Sequence, residues 1–181
     1  MKYNKAWLKE TYPQAETIPF FFFYGHQPSK DGQITRSCLS QWWVAPFEAE
    51  GHMYRTAEHW MMAGKAMLLG DDESLNKILN AGTPAQAKRL GRLVTNFDPA
   101  VWDKQKFELV IKGNWYKFGR HPELKTFLVD TGEQVLVEAN AVDRVWGIGL
   151  AADKPAARNP EQWKGDNLLG FALMEVRDML K

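Results

Sequence analysis

DPAVWDKQKFELVIKGNWYKF, residues 98–118, decides the architecture of this chain. Asp98 offers a side-chain oxygen to the first amides of a helix. Pro99 takes the first helical position, where its missing N–H is no loss. Phe107, Ile111, Trp115 and Phe118 then recur at helical spacing and predict one apolar face. The longest helix of the chain is therefore expected from Pro99 to about Phe118.

Helix signals continue on both sides. Thr83-Pro84 and His121-Pro122 repeat the start signal, and Thr131-Gly132 closes the downstream helix. Asp71 or Asp72 caps a short helix ending at Gly82. Thr56 caps one running to about Leu69, with Glu58 in its first turn, where a negative charge is favoured. Asn167 to Leu180 reads as an amphipathic terminal helix. Phe20-Phe21-Phe22-Phe23-Tyr24, ended by Gly25, reads as a buried strand. Cys38 to Phe47, broken at Pro46, reads as a second short strand, Gly51 to Tyr54 as an extended entry to a helix, and Gln134 to Glu138 as a further strand. The strands do not alternate with helices as βαβ units would. The expected fold is α+β and predominantly α-helical: a helical body with a small antiparallel sheet. Residues 1–19 read as an N-terminal arm and residues 20–181 as one domain.

Composition narrows the function classes. A chain of 181 residues that is 45% hydrophobic and 25% charged can bury a real core. A net charge of +1 with no basic run argues against nucleic-acid binding by bulk electrostatics, although a local basic cleft stays open. The single cysteine, Cys38, excludes an internal disulfide and fits a reducing cytosol, so a cytoplasmic location is expected. The first residues lack a signal-peptide core, and no run reaches membrane-span length, so no membrane partner is expected. The four histidines have no metal-ligand spacing; no metal and no cofactor are expected. Gly147-Ile148-Gly149 lacks the third glycine and following helix of a dinucleotide fingerprint, and no Gly-x-Ser-x-Gly elbow occurs. The eight tryptophans stand out, because indole rings build cores and also line ligand pockets.

Two segments carry candidate chemistry. Tyr54, Glu58, Met62 and Lys65 fall on one helical stripe. Its ordinary reading is core plus a solvated Lys65–Glu58 pair. Its functional reading is a half-buried carboxylate acting as base or cation stabiliser. Asp143 and Trp146 follow a strand in a loop with Gly147 and Gly149. That pattern suits either a ligand site or an ordinary turn capped by Asp143. Asp166 or Asn167 caps the terminal helix, and the free amides there suit either a plain cap or a phosphate.

Taken in order, these pieces resemble the YbiA-like or NADAR (NAD and ADP-ribose) family. The matching elements are Phe23-Tyr24, Leu39-Ser40 through Phe47, and Tyr54-Arg55-Thr56-Ala57-Glu58-His59 leading to Lys65-Ala66. They continue with Trp102 and Lys106, Lys117-Phe118, Leu136 with Glu138, and Asp143 with Trp146-Gly147 and Gly149. The last are Trp163, Gly165, Asn167, Leu169-Gly170, Leu173-Met174 and Arg177. The chain departs from the family at Gln41, where a small-polar-Asn pattern is usual, and in a longer loop from Ala151 to Gln162.

The resemblance implies an N-glycosidase that hydrolyses a ribose C1–N bond. Its substrates would be ribosylamino intermediates of riboflavin synthesis or ADP-ribosylated guanine. Partners implied are a small nucleotide-like molecule and ADP-ribosylated nucleic acid. Glu58 and Asp143 are the implied catalytic pair, able to stabilise an oxocarbenium-like sugar. Tyr24, Arg55, Lys65, Trp102, Lys106, Trp146, Gly147 and Asn167 are the implied substrate contacts, with rings for stacking and cations for phosphate. The competing class is a non-catalytic module that holds ADP-ribose or an NAD derivative without cutting it.

Overall fold

A computed structural model describes residues 1–181. In chain order the elements are α1 (Lys5–Thr11), β1 (Phe20–Phe23), β2 (Phe47–Ala49), β3 (His52–Tyr54) and α2 (Ala57–Leu68). There follow α3 (Asp72–Leu79), α4 (Pro84–Gly91), α5 (Pro99–Arg120), α6 (Pro122–Asp130), β4 (Val135–Glu138) and α7 (Leu168–Leu180). The chain forms two compact units, one of residues 1–40 with 123–181 and one of residues 41–122.

In the unit that holds both termini, β1 and β4 pair in parallel, from Phe20 opposite Val135 to Phe23 opposite Glu138. The antiparallel pair expected from the sequence is instead β2 with β3, in the other unit. A parallel pair needs a long crossover, and here residues 24–134 supply it. Only Phe23 of β1 is fully buried, and Phe20 to Phe22 are half-buried. The buried-strand reading fails for those three because their sheet has only two strands. Helix α7 packs on β4, and its Leu169, Phe171, Ala172, Leu173 and Val176 are buried. Its buried Arg177 donates through Nη1 to Thr131 Oγ1 at 2.9 Å and to the Gln134 carbonyl at 2.8 Å. That guanidinium ties the terminal helix to the turn between α6 and β4. The N-terminal segment packs on the same helix, with Tyr3 Oη 2.7 Å from Asp178 Oδ2.

In the unit of residues 41–122, α2 packs on α3, α4 and α5. Close approach of α2 and α5 depends on glycine. A Cβ on Gly113 would lie 2.2 Å from Cδ1 of Trp60, and one on Gly64 would lie 2.6 Å from Cδ1 of Leu109. The Trp60 indole donates to the Leu109 carbonyl at 2.8 Å. Phe47, Tyr54, Trp60 and Tyr116 continue this contact as one ring cluster. Asp71 accepts from Ser74 N at 2.9 Å and from Thr95 N at 2.8 Å. These donors hold its carboxyl well below the usual carboxylate range.

Two expectations change here. Trp115 is 45% exposed, while Asn114 and Lys117 are fully buried. Phe107, Ile111 and Phe118 of the predicted face are buried, and the inward side of α5 extends to Val110, Gly113, Asn114 and Lys117, spaced by three and four. Between Cys38 and Phe47 the chain makes a 3-10 turn (Arg36–Leu39) and an irregular run, and strand begins only at Phe47. Pro46 has no amide for a ladder, and its carbonyl accepts from His121 at 2.9 Å.

Gly113→Ala is expected to destabilise the protein. Helical alanine normally gains roughly 0.5–1 kcal/mol over glycine. The ring contact costs about 1–3 kcal/mol of overpacking, so the net change is a loss. The urea midpoint checks it, and a raised midpoint refutes the packing argument.

His59 gives a second expectation. Its Nε2 lies 3.1 Å from the Ala81 carbonyl, which can only accept, so Nδ1 accepts from the Thr56 hydroxyl at 2.8 Å. Both bonds suit the neutral ring, and burial pushes its pKa below the ordinary 6.5. The unfolded chain therefore binds this proton first. Stability is complete above about pH 6.5 and falls as pH drops toward the lowered folded value. Chemical unfolding from pH 7 to 5 should show this slope in the wild type and less of it in His59→Gln.

Candidate functional site

Glu58 sits in the first turn of α2, buried together with Gln41, the residue bonded to its amide. The Thr56 hydroxyl accepts from the His59 amide and caps the helix. The Glu58 amide donates to the Gln41 carbonyl at 2.9 Å. The Glu58 side chain is only 2% exposed. From Gln41 the polar contacts run to α5. Asn114 Nδ2 donates to Gln41 Oε1 at 2.7 Å and to the Val110 carbonyl at 2.9 Å. Lys117, one turn further along α5, is also buried. A carboxylate, an ammonium and two carboxamides are thus buried in one unit of modest size. Such groups are costly to desolvate, and that makes this cluster a candidate functional site.

Lys117 was not among the candidate residues from sequence. It stands at i+7 from Val110 and i+3 from Asn114, and that spacing was the available signal. The aromatic residue Trp115 drew the predicted apolar face away from it.

Asp143, Trp146, Gly147 and Asn167 come together in the other unit. Asn140 Oδ1 accepts from the amides of Val142 and Asp143 at 3.0 and 3.2 Å. Asp143 Oδ1 then accepts from the amides of Val145 and Trp146 at 2.9 and 2.8 Å. These two Asx turns set the loop and present a half-buried Trp146. A Cβ on Gly147 would meet the Glu138 carbonyl at 2.9 Å, so this glycine allows the chain to approach itself.

Asn167 holds the loop from the other side. It is fully buried, with φ 55°. Its Oδ1 accepts from the Glu138 amide at 3.0 Å, and its Nδ2 donates to the Leu136 carbonyl at 2.9 Å. The amides of Asp166, Asn167, Leu168 and Leu169 donate to the carbonyls of Arg144, Gly147, Val145 and Trp146. Both sequence readings of this helix start, a plain side-chain cap and a phosphate site, are therefore corrected: the Asn167 side chain makes no cap bond to α7, and these N–H groups already have partners.

Lys65 and Trp102 also meet, in the unit of Glu58. Lys65 Nζ donates to the Gly91 carbonyl at 2.8 Å and lies 4.1 Å from the Phe97 ring centroid and 5.8 Å from that of Trp102. Burial pushes this ammonium's pKa down. Lys106 pairs with Asp103 at 2.5 Å, one turn away on α5. Arg55 is exposed, and Tyr24 is 64% exposed. No three His, Cys, Asp or Glu side chains cluster as metal ligands would. No helix is long and apolar enough to cross a membrane.

Comparison with known proteins gives a consistent picture. A family model described as NADAR domain matches residues 22–181. N-glycosidase R617 of Acanthamoeba polyphaga mimivirus is 39% identical over 168 residues, covering 90% of this chain and 97% of that protein. N-glycosidase YbiA of Escherichia coli (strain K12) is 30% identical over 135 residues, covering 75% of this chain and 76% of its own. The NMR structure of E. coli YbiA superposes with a TM-score of 0.69 at 26% identity, covering 92% of this chain and 91% of that one. The helix-rich α+β fold is shared with that structure, and the chain belongs to the NADAR domain family.

Proposed function

We infer that this chain is an N-glycosidase, a hydrolase acting on N-glycosyl compounds. The observation that carries the reading is the nearly inaccessible Glu58 side chain at a helix head, on a residue whose amide donates to the carbonyl of Gln41, itself bonded to the buried Asn114 carboxamide. The names of the mimiviral and bacterial relatives support it.

The bond proposed for cleavage is ribose C1–N. As it lengthens, its electron pair leaves with the heterocycle and positive charge spreads over C1 and the ring oxygen. A fixed carboxylate in a dry site stabilises that charge without reorganising at the moment of reaction. Water then adds its oxygen to C1, and its proton completes the departing base. We assign the electrostatic role to Glu58. Trp146 is assigned a stacking face for the heterocycle, and Asp143 a second negative charge as well as its turn. Two substrate classes fit this chemistry: ribosylamino intermediates of riboflavin synthesis and ADP-ribosylated guanine. A module that only holds ADP-ribose has no use for a buried carboxylate at C1.

Chromatography of a panel of ribosylamino pyrimidines, ADP-ribosylguanosine, ADP-ribosylated DNA and NAD should reveal free base from one class. Glu58→Gln keeps the shape and removes the charge. It should lower turnover by about 100-fold or more, the range of a single electrostatic group, with the circular dichroism spectrum unchanged. Near-normal turnover would strip Glu58 of this role.

Asp143 admits a cleaner separation. Asparagine retains an Oδ1 for the amides of Val145 and Trp146, whereas alanine does not. If charge matters, Asp143→Asn should slow the chemical step with affinity for substrate retained. Asp143→Ala should also weaken binding, because the turn that presents Trp146 is lost. Full activity in Asp143→Asn would reduce the residue to a loop cap.

A further inference from the structure

Gln41 lies where the sequence departs from the family pattern, and its side chain is held in one orientation. The Val110 carbonyl can only accept, so the Asn114 atom 2.9 Å from it is nitrogen. The same nitrogen faces Gln41 at 2.7 Å, so the Gln41 atom there is Oε1. Gln41 Nε2 therefore points elsewhere. It has no acceptor within the protein, although the residue is only 6% exposed. Asn114 Oδ1, on the fully buried partner side chain, has no donor. An unanswered donor group and an unanswered acceptor on adjacent buried carboxamides are costly to leave unmade, and one hydrogen bond to each relieves part of that cost. A hydroxyl group can answer both, since it accepts and donates.

The position of this pair narrows which hydroxyl. The Gln41 carbonyl receives the Glu58 amide, so the carboxamide branches from the residue that tethers the carboxylate-bearing helix. A carboxylate acting at C1 of ribose has the 2′-hydroxyl as the nearest sugar substituent. Hydrogen bonds to that hydroxyl strengthen as the oxocarbenium-like state forms. We propose that Gln41 is a specificity-determining residue: its Nε2 donates to the ribose 2′-hydroxyl, Asn114 holds the carboxamide in place, and the enzyme selects ribosides over 2′-deoxyribosides. This rests on the N-glycosidase reading of Glu58.

The test compares ratios, because a 2′-deoxy sugar forms its cation more readily even in water. Wild type, Gln41→Met and Gln41→Asn are assayed for base release on a ribosylamino-pyrimidine phosphate and on ADP-ribosylguanosine, each paired with its 2′-deoxyribosyl counterpart. Gln41→Met keeps length and removes the donor. It should lower kcat/KM about 10- to 100-fold on the cleaved riboside, and leave the 2′-deoxy substrate within about threefold of wild type. Gln41→Asn shortens the side chain and should fall between the two; it carries the comparison alone should Gln41→Met fail to fold. Equal slowing of riboside and deoxyriboside by the folded variants overturns the proposal and leaves the N-glycosidase reading standing. A wild type that releases base from none of the four overturns both. Riboside kcat/KM that stays within about threefold of wild type in Gln41→Met, while Glu58→Gln loses turnover, overturns the role of Gln41 alone.

Discussion

The hydrogen bond from the Glu58 amide to the Gln41 carbonyl organises the unit of residues 41–122. The first amides of any helix lack partners within it. At α2 the Thr56 side chain takes one of them and the Gln41 backbone takes another. The segment before β2 is thereby anchored to the head of the helix that carries the carboxylate. The Gln41 side chain extends the same anchor to Asn114 on α5. Two helices and one loop are thus joined through polar contacts in a region that is otherwise apolar. The Gly113–Trp60 and Gly64–Leu109 approaches let α2 and α5 come close enough for this to happen.

Such a cluster is not the most stable way to fill a core. Buried charges and carboxamides lose hydration, and well-packed apolar side chains commonly match or exceed what they contribute. Tight packing on the opposite face, through the rings of Phe47, Tyr54, Trp60 and Tyr116, provides the compensation.

The unit containing the termini follows another logic. Its loop at residues 140–149 is shaped by hydrogen bonds to backbone groups, some its own and some of the segment at residues 164–169. Asn140 and Asp143 make successive turns, and the amides of residues 166–169 close on the carbonyls of residues 144–147. A Cβ at Gly165 would lie 2.2 Å from the Gly147 carbonyl, so the two strands of loop touch directly. The helix start that could have served an anion serves the loop instead. What reaches solvent from this arrangement is the half-buried Trp146 with the exposed Arg144 and Val145 beside it in the chain.

By itself the sequence determined the helices, because their signals are local. Thr56, Asp71, Thr83 and Asp98 all cap where expected, and proline stands at the first position of α4 and α5. It also singled out Glu58 as a carboxylate on a stripe otherwise fit for burial. Strand pairing was not legible, since the parallel match of β1 with β4 joins segments far apart in the chain. Nor were the partners of Lys65, which reaches the Gly91 carbonyl, or the inward face of α5, where Asn114 and Lys117 replace the expected Trp115. Apolar periodicity sees only apolar residues, so a polar group on a buried face is invisible to it. The fully buried Asn167, bonded to β4, shows the same limit: its residue type permits a cap, a ligand contact or a strand clamp, and only the approach of β4 to that loop decides among them.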